Sequence, residues 1–126
     1  ARAVARDRAE HRTHSFPRGW RLSGQNQRAL KSMMAMADEH EFDLYVASSP
    51  LSDNLLEGRD AARYFEEERS VLDDLTAQSE RTHLILHPAV LYRSEEMRTS
   101  DHVTAKLATD FTRRVAEAIA SVERGR

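Results

Sequence analysis

The stretch Met97 to Thr104, MRTSDHVT, sets Asp101 and His102 side by side just ahead of a long amphipathic segment. Imidazole titrates near neutrality, so a histidine whose ring is oriented by a carboxylate can take the proton of a hydroxyl nucleophile as general base. The same pair also suits a plain helix start, with Asp101 near the positive end of the dipole and His102 in solvent. Earlier in the chain, SSPLSDN gathers Ser48, Ser49, Asp53 and Asn54, whose hydroxyl, carboxylate and amide groups could hold a polar substrate, or supply a serine nucleophile from Ser48 or Ser49 with Asn54 as an oxyanion donor. Residues of these types equally build turns by bonding nearby backbone, and that use is the commoner one.

The remaining histidines make weaker cases. His11 and His14 stand three apart, but two ligands do not make a metal site, and no metal is expected. His83 and His87 bracket an apolar run; on a strand they would share a face roughly 13 Å apart, too far for one ion. His87 could face the crevice beside His102, but a satisfied structural histidine is the expected reading. The adjacent acids Glu95-Glu96 and Asp73-Asp74 diverge on a strand or a helix and cannot share a proton.

Five elements must position these groups. From Gln25 to His40, Leu30, Met33, Met34 and Ala37 recur at helical spacing and predict one core-facing stripe. FDLYVASSP then shifts to a short apolar run ending at Pro50, the pattern of a strand covered on both faces. Residues 61–79 return to helical spacing through Tyr64, Phe65, Val71, Leu72 and Leu75, with Glu66, Glu67 and Glu68 predicted on the solvated side. THLILHPAVLY is a second buried strand. Residues 104–122 form the cleanest helix, with Leu107, Phe111, Val115, Ile119 and Val122 on one face and Thr104 as N-cap. Strands alternating with helices imply right-handed crossovers and a parallel sheet, with the polar loops after each strand at its ligand-binding end.

Composition bounds the rest. The 126 residues make one domain, 40% hydrophobic and 32% charged, without cysteine. That excludes thiolate chemistry and a disulfide scaffold, and no apolar run is long enough to cross a bilayer. Residues 1–24 read as a basic arm and loop ahead of an α/β domain over 25–126, with Phe16 and Trp20 expected to pin the arm to the body. Through Arg21, six arginines against Asp7 and Glu10 give +4, so the remainder carries −6 of the total −2. Without interleaved aromatic residues this arm is expected to be solvated, and nucleic acid is not an expected partner. Two strands are too few for a free-standing parallel sheet. Further strands are expected from Thr13 to Leu22, from a second copy of the chain, or from sequence upstream of Ala1.

From Phe42 to Val122 the chain resembles the C-terminal half of an SGNH (GDSL-like) hydrolase, in the branch that includes bacterial polysaccharide O-acetyltransferases and esterases. The features that carry the resemblance are FDLYVASSP, the acidic helix, THLILHPAVLY and DHVTAKLATDFTRRVAEAI. It implies a three-layer, flavodoxin-like α/β sheet, and acyl transfer without a cofactor on a carbohydrate or other polar acyl ester. In that scheme His102 is the base, Val103 packs behind it and Thr104 caps the helix. The family's acid lies three residues before its histidine, which here is Thr99, so Asp101 would take over its role. The family's Gly-Asp-Ser nucleophile block is absent, which places the serine upstream of Ala1, and the resemblance leans towards an extracytoplasmic setting. The alternative is a non-catalytic α/β interaction module that completes its sheet by self-association.

Overall fold

A computed structural model describes residues 20–57, 61–99 and 102–126. His11, His14, Phe16 and Asp101 lie outside the described residues. Helix α1 (Gly24–His40) begins at Ser23, whose hydroxyl accepts the Asn26 N–H at 3.1 Å. It ends at Glu41, held left-handed at φ 57° while the Phe42 N–H returns to the Ala37 carbonyl. Strand β1 (Leu44–Ala47) follows, then a two-residue strand β2 (Leu51–Ser52) and a 3-10 turn over Asp53–Glu57. Helix α2 (Ala61–Thr76) crosses to strand β3 (Thr82–Ile85), which leads to the short β4 (Leu91–Tyr92) and helix α3 (Ala105–Arg124). Thr104 caps α3 as its spacing predicts, although its hydroxyl is a long 3.5 Å from the Leu107 N–H.

β1 and β3 pair in parallel, Leu44 opposite Thr82 through Ala47 opposite Ile85, and β2 pairs in parallel with β4. The chain is thus an α/β protein of three helices and two small parallel sheets among the described residues. Side chains alternate along a strand, so the pair Val46 and Leu84 faces one way and Tyr45 and His83 the other. α2 covers the Val46 side with Tyr64, Phe65 and Leu72. On the opposite side Tyr45 and His83 stack with ring centroids 5.2 Å apart, beneath the end of α3.

Polar ties fasten that end of α3 to the start of the sheet. Tyr45 donates its hydroxyl to Glu123, and Arg126 grips both oxygens of Asp43, which also lies 3.1 Å from His83 Nε2. The Arg126 guanidinium, then His83, hold the Asp43 carboxyl well below the usual carboxylate range. Ser79 donates to Asp38 at 2.6 Å and so links the turn after α2 to α1. Trp20 gives its backbone N–H to Glu67 at 2.9 Å, which ties the entry to α1 against α2.

Three expectations about burial are corrected. In α1, Met34 and Ala37 are buried but Met33 is 50% exposed, because its neighbour Met34 faces inward. Val71 of α2 is 40% exposed whereas Leu72 and Leu75 are buried. β1 is only half-buried and Ala47 is exposed, since a two-stranded ladder leaves each strand an open edge.

Candidate functional site

Two groups of residues occupy the C-terminal end of the strands. The first is the loop between β4 and α3. Tyr92, Met97 and Leu107 form a buried cluster with Val90, Val103 and Phe111 against it, and this cluster anchors the loop from below. Val103, next to His102 in the chain, is part of this packing. Tyr92 donates its hydroxyl to Asp110 at 2.7 Å, while Arg113 and Arg114 bond the same carboxylate. On this anchored base the His102 carbonyl accepts the N–H groups of Arg98 at 2.9 Å and Thr99 at 3.2 Å. The His102 ring is held as well: its Nδ1 lies 2.8 Å from Thr99 Oγ1. The side chain three residues before the histidine thus meets the ring through a hydroxyl.

The second group lies under α2. A pocket of about 280 Å³ opens at the ends of β1 and β3, and Val46, Leu84, Tyr64, Phe65, Leu72 and Glu68 are among its lining. Ser48 and Ser49 line it too, so two of the four expected substrate contacts share one cavity. His102, Asp53 and Asn54 are not among its lining residues. Asp53 instead accepts the Ser94 N–H at 3.0 Å and ties the loops after β2 and β4 together. Asn54 Oδ1 accepts the hydroxyl of the fully buried Ser52.

Glu68 was expected on the solvated side of α2 and is found on the pocket wall. Burial there pushes its carboxyl above the ordinary glutamate range. The spacing contains the signal: Glu68 lies four residues from both Tyr64 and Leu72, the helical repeat of one face, and the adjacent Glu66 and Glu67 disguise it. His87 is corrected too. Neither of its ring nitrogens has a hydrogen-bond partner among the described residues, and desolvation pushes its pKa down. The shift favours the neutral ring, which is less costly to bury unpaired than the charged one.

Among the described residues, no three His, Asp or Glu side chains converge as metal ligands, and no helix is long and apolar enough to cross a membrane. Comparison with models of protein families, with curated proteins and with solved structures found no match.

Proposed function

We propose that the chain carries the base of an ester hydrolase or O-acyltransferase acting on a carbohydrate or another polar acyl carrier. The observation behind this is the 2.8 Å contact between Thr99 Oγ1 and His102 Nδ1. An imidazole that donates its Nδ1 proton to an oxygen presents the Nε2 lone pair, the tautomer that general-base catalysis requires. A serine Oγ then bonds to the ester carbonyl carbon as its proton passes to Nε2. That proton goes on to the departing alkoxide oxygen as the C–O bond breaks. Water, or the hydroxyl of an acceptor, releases the acyl group by the reverse route. The serines at the end of β1 line a pocket that His102 does not, so the nucleophile in this scheme comes from outside the described residues. The two parallel ladders would then be part of a larger flavodoxin-like sheet of SGNH type.

The test is hydrolysis of a small activated ester by the wild-type protein and by His102→Ala. Loss of turnover in the variant, with the fold intact by circular dichroism, supports His102 as base; a rate indifferent to the substitution excludes it.

One observation favours a second reading. Among the described residues β1 and β3 pair with each other alone, although parallel sheets are normally flanked and covered. A non-catalytic module that completes its sheet by self-association would account for this. Mass measurement in solution separates the cases, since a monomer at high concentration removes self-association.

A further inference from the structure

The pocket under α2 holds a carboxylate that no described residue pairs. Glu68 is the one charged side chain on its lining, amid the carbon of Val46, Leu51, Leu72 and Leu84. The neighbouring cations on α2 are engaged elsewhere. Arg63 bonds Glu67 at 2.8 Å and Arg69 bonds Asp73 at 3.3 Å. Among the described residues burial alone acts on the Glu68 carboxyl, and no partner offsets it. A carboxylate drawn into an apolar wall is ordinarily paired.

The other walls suit a cation. Tyr64 and Phe65 line the same cavity, packed edge to face with centroids 5.5 Å apart. Aromatic rings carry negative faces that attract ammonium groups, most strongly where water is excluded. The pocket opens at the C-terminal ends of parallel strands, where α/β proteins bind ligands. Its volume of about 280 Å³ lies at the small end of ligand cavities.

We propose that this pocket binds a small organic ammonium ion: a charged amine set against Glu68, carried on an apolar body that fills the space between β1, β3 and α2. The hydroxyls of Ser48 and Ser49 accept the remaining N–H groups. The site stands apart from the acyl-transfer scheme and does not depend on His102.

The experiment is an NMR titration of the full chain with 2-phenylethylammonium and, separately, with 2-phenylethanol, which has nearly the same shape and no charge. Saturable shifts are expected at Ser48, Ser49, Glu68 and Leu84, with the amine bound more tightly than the alcohol. Glu68→Gln should weaken the amine by about tenfold, the loss of one charge-assisted hydrogen bond, and leave the alcohol unchanged. Glu68 has no partner to lose among the described residues, so the variant should keep the wild-type spectrum elsewhere. Equal affinity for amine and alcohol, an amine indifferent to Glu68→Gln, shifts centred elsewhere, or no saturable shift would each overturn the assignment.

Discussion

Thr99 Oγ1 stands 2.8 Å from His102 Nδ1, while the Thr99 N–H also donates to the His102 carbonyl, so the two residues hold each other through both side chain and backbone. A hydroxyl can orient an imidazole as a carboxylate does, but it stabilises the developing imidazolium less. Thr99→Val should therefore lower any ester turnover, and Thr99→Asp should raise it. The ring's tautomer, read from its ¹⁵N shifts, should move in Thr99→Val even where no turnover is measured. A ring unmoved by Thr99→Val would show that the contact orients nothing.

Met97 is the stay beneath this loop. It is 2% exposed and packs with Tyr92 and Leu107. Met97→Ala leaves a cavity directly below Arg98 and Thr99, and large-to-small changes at such sites cost about 2–5 kcal/mol. Urea denaturation should show a loss in that range, with Thr99 and His102 amides among the most shifted in the spectrum. A loss well under 1 kcal/mol would place Met97 outside the core.

Asp110 gives the protein an acid-sensitive joint. Its bonds from Arg114, then Tyr92 and Arg113, hold its carboxyl well below the usual carboxylate range. A depressed folded-state pKa contributes stability above the unfolded value near 3.9, and this is lost as pH falls towards the folded value. Asp43, bound by Arg126 and His83, behaves alike. Wild type should thus lose stability progressively as pH falls below about 4, with the loss continuing under about pH 3, and Asp110→Asn should lose less over that range. Urea midpoints for the two proteins should converge on acidification; parallel curves would show that Asp110 gains nothing from its partners.

Glu41 closes α1 at φ 57°, a conformation that costs an ordinary residue more than it costs glycine. Glu41→Gly should stabilise the protein by about 0.5–1 kcal/mol after the entropy that glycine loses on folding. Thermal unfolding reads this directly, and a lower Tm would mean that the Glu41 side chain does something the backbone geometry does not reveal.

Much of this was legible from residue types and spacing. The helical repeats from Gln25, from Ala61 and after Thr104, and the apolar runs around Val46 and Leu84, mark the main elements because period and composition are local properties. The short β2–β4 ladder was not legible. Leu51–Ser52 and Leu91–Tyr92 are too brief to show a pattern, and they become strands only because β1 and β3 bring them side by side.

Sequence alone determined the alternation of helix and strand, the parallel pairing it implies, the capping role of Thr104 and the place of His102 just ahead of the last helix. These follow from periodicity, chain handedness and backbone capping, which act over a few residues or through one crossover. Tertiary structure alone decided which chemical groups meet: that Thr99 holds His102, that Asp53 is drawn to Ser94, and that Glu68 turns into the pocket while Glu67 holds Trp20. Helix rotation and loop closure are set by packing against distant segments. A run of three glutamates or an Asp-Asn pair reads the same whichever side chain that packing turns inward.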